Sequence, residues 1–260
     1  MNRLTRYILA AIFGGLTVVL LCAAYTSESL KKKKTACSGI EVCVLDSSIN
    51  GFVGKERIIG CIAGKYGNPV GRPLSGLDIA AIEKTTDSLS AVRKSEVYVT
   101  KDGILHVSLT QRTPVLRFQK DSIGLYADAE GVLFPLQPGY TAHVPIIDGN
   151  IPLNVGKDFQ GRPVTGRERQ WTRQIIGLVS YMRDGGIWLK NIVQIHVDEK
   201  GDLILIPDEG REKFIFGQPD SIEEKFRKME LYYTSIVPDK GKDFYSTVNL
   251  KYDGRIICRK

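Results

Sequence analysis

The sequence is poor in catalytic groups. Its three histidines, His106, His143 and His196, lie far apart, and two of them fall on the polar faces of predicted strands, where a surface role accounts for them. There is no phosphate loop, no Gly-rich dinucleotide turn after a strand, no G-x-S-x-G and no H-E-x-x-H. Asp128 and Glu130 are close enough to suggest a carboxylate pair, but a turn uses such residues anyway. No catalytic constellation can be assembled, so the expectation is a non-enzyme with no cofactor and no small-molecule substrate.

Metal and disulfide frameworks are equally thin. The five cysteines, Cys22, Cys37, Cys43, Cys61 and Cys258, show no C-x-x-C and no spacing that pairs with histidines as in a zinc site. A chain of this size does not need disulfides to hold a core, and free, partly buried thiols are expected.

A basic face is missing from the body of the chain. The formal charge is +7, but residues 1–34 carry six basic side chains against Glu28, which leaves 30 basic and 28 acidic residues, a net of +2, for the remainder. A phosphate-backbone binder would need its positive charge on the folded part, so nucleic acid is not an expected partner. With 43% hydrophobic and 25% charged residues, the chain has the composition of a folded protein with one large or two modest cores.

What is present begins with an uncharged run from Tyr7 to Tyr25. Nineteen residues rising about 1.5 Å each make roughly 28 Å of helix, close to the roughly 30 Å hydrocarbon thickness of a bilayer. The two tyrosines suit the headgroup level. The rival reading is a cleaved signal peptide, because Cys22-Ala23-Ala24 offers small residues after an apolar core. Its apolar run exceeds the usual length of such a segment, which favours an uncleaved anchor at 7–25. Residues 1–6 are too short for a domain and are placed in the cytoplasm; the long C-terminal part lies outside it. Residues 26–38 read as a juxtamembrane linker in which Lys31 to Lys34 are a solvated spacer or, more sharply, a headgroup contact.

The chain from Leu77 to Phe118 organises the first folded unit. Ile79, Ile82, Thr86 and Leu89 recur at spacings of three and four, while Asp78, Glu83, Lys84 and Asp87 turn outward, so a helix lies on something apolar. Val97 and Val99, then Leu105, Val107 and Leu109, alternate with polar residues around Lys101-Asp102-Gly103, which reads as a hairpin. A strand at Ile40–Leu45 and a short helix over Gly54–Ala63 precede them. The order strand, helix, helix, strand, strand is a small α+β unit. Pro114, lacking an N–H, marks Gln111–Pro114 as a seam.

Beyond the seam the pattern turns β-rich. Strands are expected at Val115–Gln119, Ile123–Tyr126, Val132–Phe134, Val144–Ile147, Val193–Val197, Leu203–Ile206 and Lys213–Phe216. Trp171, Ile175, Val179 and Met182 mark one helix, and Ile222, Phe226, Met229 and Tyr233 another. Thr247–Tyr252 and Arg255–Arg259, joined through Asp253-Gly254, close the chain as a hairpin. An anchored, mainly antiparallel protein of this kind offers sheet edges, and strand addition at an edge is a recognised binding mode.

The whole pattern resembles the FtsQ/DivIB cell-division family, whose first outer unit is a POTRA domain. The likeness rests on Glu96-Val97-Tyr98 through Asp102-Gly103, Gln111-Arg112-Thr113-Pro114-Val115-Leu116-Arg117, Tyr126-Ala127-Asp128-Ala129-Glu130-Gly131 through Pro135, and Phe244-Tyr245 through Val248-Asn249-Leu250-Lys251-Tyr252. Gly139-Tyr140-Thr141-Ala142-His143-Val144 is similar to the branch of the family found in Bacteroidota-type bacteria.

The resemblance implies a POTRA domain at 39–113 and an FtsQ-type β domain at 114–260, in a bitopic inner-membrane scaffold at the division septum. Such a scaffold binds FtsB and FtsL, small single-span coiled-coil proteins, and helps license septal peptidoglycan synthesis. In that family the last strand pairs with FtsB, and Lys251-Tyr252-Asp253-Gly254 corresponds to an Arg-Tyr-Asp-Ser-Gly type motif there. This sequence departs by having Lys for Arg, one residue fewer in the turn and almost no tail after Cys258. The expected partner-binding residues are Thr247, Asn249, Lys251, Tyr252, Gly254, Arg255 and Ile256, with Tyr252 packing on the partner. The plainer alternative is an ordinary last hairpin with Tyr252 in the core. A POTRA-type chaperone module in outer-membrane protein assembly is the second functional reading.

Overall fold

A computed structural model describes residues 13–23, 35–186 and 188–260. The expected cytoplasmic tail, both ends of the expected span and most of the linker lie outside the described residues. Residues 13–23 are helical and exposed, and no described helix is long and apolar enough to cross a membrane. The chain divides into two compact units: one ends at Gln111, and the other comprises Ser48–Phe52 with Arg112–Lys260.

The first unit contains β1 (Gly39–Val44), α1 (Lys55–Tyr66), α2 (Ile79–Asp87), β2 (Val92–Val99) and β3 (Ile104–Gln111). The strands form one sheet in the order β1-β3-β2, with β1 parallel and β2 antiparallel to β3. Strict alternation along β3 buries Leu105, Val107 and Leu109, which join Ile58, Ile62 and Ile82 in the core of the unit. Asp78 caps α2, its side chain accepting the Ala81 N–H at 2.9 Å. Asp87 is exposed and Glu83 partly so, as expected, but both also reach β2. Asp87 accepts the Ser95 N–H at 2.6 Å and its hydroxyl at 2.7 Å, and Glu83 accepts the Val97 N–H at 3.4 Å, so α2 saturates amides of β2.

The second unit carries β4 (Pro114–Lys120), β5 (Ile123–Asp128), β6 (Leu133–Pro135), β7 (Ile146–Gly149), α3 (Gly166–Asp184), α4 (Trp188–Asn191), β8 (Ile192–Val197), β9 (Leu203–Pro207), β10 (Lys213–Gly217), α5 (Ile222–Leu231), α6 (Val237–Lys240), β11 (Thr247–Asn249) and β12 (Ile257–Arg259). Its nine-stranded sheet runs β12-β11-β10-β9-β8-β7-β4-β5-β6. Antiparallel pairs are in the majority, but β4 with β7, β7 with β8, and β10 with β11 are parallel. Pro114 is the first residue of β4, opposite Asp128, a position where its missing N–H is tolerated.

Helices α3 and α5 supply Ile175, Leu178, Val179, Met182, Phe226 and Met229 to a core shared with Phe118, Ile195, Leu205, Phe214 and Phe216. Each such side chain contributes about 1.5–3 kcal/mol on burial. Trp171 is partly buried against this core, its ring 5.7 Å from Phe118. Thr165 and Glu168 form a reciprocal capping box at the start of α3. Asp128 does more than turn the chain. Its Oδ1 accepts the N–H groups of Glu130 and Val132 at 3.0 and 2.9 Å, and its Oδ2 pairs with Arg112 at 2.8 Å.

Past Leu231 the helix loses its regular register. Tyr232–Ile236 is a π turn, in which the Val237 N–H donates to the Tyr232 carbonyl five residues back. The extra residue lets consecutive Tyr232 and Tyr233 both reach inward, with rings 5.5 and 5.7 Å from Phe214.

Candidate partner-binding edge

The two ends of the large sheet are not equivalent. At one end, Leu133 of β6 exchanges backbone hydrogen bonds with Gly161 at 2.8 and 3.0 Å, which occupies part of that edge. At the other end, β12 pairs only with β11, in the register Thr247 with Arg259, Val248 with Cys258 and Asn249 with Ile257. Among the described residues no strand lies outside β12. An edge of this kind is a template for a further strand.

The closing hairpin is wider than the sequence suggests. Strand pairing stops at Asn249 and resumes at Ile257, so the expected strands Thr247–Tyr252 and Arg255–Arg259 are each cut short. The reason lies on α5. The buried Lys228 ammonium donates to the Tyr252 carbonyl at 2.8 Å and to the Leu250 carbonyl at 3.3 Å, and pairs with Glu224 one helical turn earlier at 2.8 Å. Hydrogen bonding from Lys228, and then from the Gly254 N–H, holds the Glu224 carboxyl below its usual range. These carbonyls serve a helix side chain in place of a neighbouring strand.

Lys251 pairs with Asp202, and that contact raises its ammonium above the ordinary lysine value. Its stem lies over Gly217, where a Cβ would come within 2.8 Å of Lys251 Cγ. The Arg255 N–H then closes the turn on the Tyr252 carbonyl at 3.2 Å.

The structure thus gathers Lys251, Tyr252, Gly254 and Arg255 on one exposed turn. The Tyr252 side chain is 53% exposed and is no part of the core. Thr247 and Asn249 sit on β11, an interior strand bonded on both sides, and Ile256 packs partly against the core. Sequence reasoning reached Ile257, the 38% exposed first residue of the free strand, but passed over Arg259 at its far end. It also passed over Lys228 and Glu224, although their i, i+4 spacing on a predicted helix was a readable signal. Cys258, between the two edge residues, is half-buried, and burial pushes its thiol up.

The chemistry elsewhere in this unit is that of polar contacts. His196 Nδ1 lies 2.8 Å from Asp148, which also accepts from Gln194 at 2.6 Å, and His143 is exposed. Among the described residues no group of three or more His, Cys, Asp or Glu side chains could hold a metal ion. All five cysteines are free thiols.

A mixed sheet ending in a short free strand, preceded in the chain by a unit of order β-α-α-β-β, can be compared with known families. Residues 113–259, more than half of the chain, match the family model "FtsQ/DivIB, C-terminal related". The chain belongs to the FtsQ/DivIB family. Residues 35–110 match the POTRA-like domain, in accord with the α+β character of the first unit. No curated protein matches the chain. FtsQ/DivIB proteins are division-related membrane proteins of the division site, generally non-catalytic scaffolds that work through protein–protein contacts.

Proposed function

We propose that this FtsQ/DivIB protein is a bitopic inner-membrane scaffold of the divisome. Residues 1–6 are cytoplasmic, 7–25 span the membrane, 26–38 link, and the POTRA domain at 39–113 and the β domain at 114–260 lie in the periplasm. It binds FtsB- and FtsL-like single-span proteins at the septum and so helps license septal peptidoglycan synthesis. The partner adds a strand to β12, while the turn bearing Lys251, Tyr252, Gly254 and Arg255 packs against it; Ile256 backs the strand, and Thr247 and Asn249 support it from β11. The observation that carries this reading is the free outer side of β12 beside a half-exposed tyrosine whose backbone is pinned by Lys228. Main-chain pairing supplies affinity in such a mode and the flanking side chains supply selectivity.

A photo-crosslinker in place of Tyr252, in growing cells, tests the interface. Adducts with a short single-span protein, identified by mass, are the expected result; a crosslinker that captures no small membrane protein removes the edge from consideration. Depletion in the host tests the role. Smooth filaments without septal wall synthesis are expected, and normal septation with a damaged outer membrane would overturn it.

A further inference from the structure

A surface cavity of about 320 Å³ in the second unit is lined by Asp208 and Glu209 of the β9–β10 loop, Glu212, Tyr233 and Val237 of the irregular helix, and Asp243. Lys190 and Lys242 also line it, so four carboxyl groups face two ammonium groups. Most of these are exposed and form the rim, whereas Glu212 is only 4% exposed and forms the floor. Its Oε1 accepts the Tyr233 hydroxyl at 2.9 Å. Its Oε2 is buried and has no hydrogen-bond partner among the described residues.

A carboxyl oxygen withdrawn from water without a donor is destabilising, and native proteins rarely leave one so. The oxygen is covered by backbone rather than by a side chain. Gly210, at φ +105°, passes over it, and a Cβ there would collide with the carboxylate. The π turn is what brings Tyr233 to Glu212, and such turns recur at functional sites. Burial raises the Tyr233 phenol, so it remains a donor to Glu212 at any ordinary pH.

The rim charges are partly committed. Lys242 lies 3.4 Å from Glu209, and Asp243 accepts the Arg211 N–H at 3.0 Å. Lys190 and Asp208 complete the set. The balance stays acidic, and the carboxylates do not converge as a metal-binding group. An organic cation with several donors suits the site best. A guanidinium presents five N–H groups in a planar fork and is more weakly hydrated than an ammonium, so it can serve Glu212 and a rim carboxylate together at a lower desolvation cost.

We propose that this cavity is a binding site for an arginine side chain presented by a partner protein, with Glu212 as the buried counter-charge. A chain-embedded arginine fits better than the free amino acid, whose own carboxylate would meet the acidic rim. The site is separate from the β12 edge and does not depend on strand addition there.

The test uses the full chain in detergent and the blocked tripeptide acetyl-Gly-Arg-Gly-amide, followed by thermal unfolding. A saturable rise in Tm of about 2–4 °C is expected. The citrulline counterpart, neutral but the same shape, should give none, and free arginine should bind more weakly than the blocked peptide. Glu212→Gln keeps the Tyr233 contact but removes the charge and should weaken binding at least tenfold. Asp208→Asn, an exposed change that leaves the fold intact, should weaken it severalfold and decides the matter if the first variant does not fold. No rise with the arginine peptide, an equal rise with citrulline, tighter binding of the lysine counterpart or of free arginine, or unchanged affinity in both variants would overturn the proposal.

Discussion

Lys228 Nζ donates to the Tyr252 carbonyl at 2.8 Å, so a buried helix side chain sets where the exposed tyrosine stands. Replacing it by Met keeps the stem but strands two carbonyls. The expected cost is about 1–3 kcal/mol. Deuterium exchange should quicken at Gly254 and Arg255 while the β8 and β9 amides keep their protection. Unchanged exchange at those two amides would mean that the ammonium does not hold the turn.

Tyr252→Ala and Ile257→Ser touch exposed positions, and each should shift unfolding stability by no more than about 0.5 kcal/mol. Partner recovery in a pull-down from membranes should nonetheless fall at least tenfold for the pair of changes. A parallel loss of stability and recovery would instead report a folding defect.

Glu168 links stability to pH. The Asn154 N–H, then the Thr165 N–H and hydroxyl, hold its carboxyl below the ordinary value of 4.5. A lowered folded-state pKa adds stability that is present above the unfolded value and lost as pH falls through the folded one. Urea unfolding midpoints should therefore drop on acidification below about pH 4.5. Glu168→Gln should flatten that part of the profile and lower stability at pH 7.

Asp128→Ala removes the acceptor for two turn amides and the partner of Arg112 in one step. Breaking a buried pair on one side costs about 3–5 kcal/mol. Denaturant unfolding should show that loss with an unchanged slope; a change below about 1 kcal/mol would mean that Arg112 is readily hydrated.

Where a side-chain pattern answers to a single element, the sequence disclosed the structure. Trp171, Ile175, Val179 and Met182 repeat at helical spacing because α3 meets one apolar surface, and Lys101-Asp102-Gly103 reads as a turn because Gly103 adopts φ +88°. Elements governed by distant partners were not legible. Glu83 and Asp87 read as outward charges, and nothing local shows that they also reach β2. The parallel pairings of β7 and β11 join segments far apart in the chain, and nothing local encodes them. The candidate edge was half legible. Asp253-Gly254 reads as a tight hairpin, and only the ammonium arriving from α5 opens it and transfers the free edge to Ile257–Arg259.

The π turn makes the number of residues between Leu231 and Pro238 a constraint in its own right. Deleting one of them would restore an even helical pitch and rotate the side chains before the deletion by about 100° relative to those after it. Tyr233 could then no longer meet both Phe214 and Glu212. Substitutions at the exposed Thr234 and Ser235 can be absorbed one at a time, but a gain or loss of a single codon cannot.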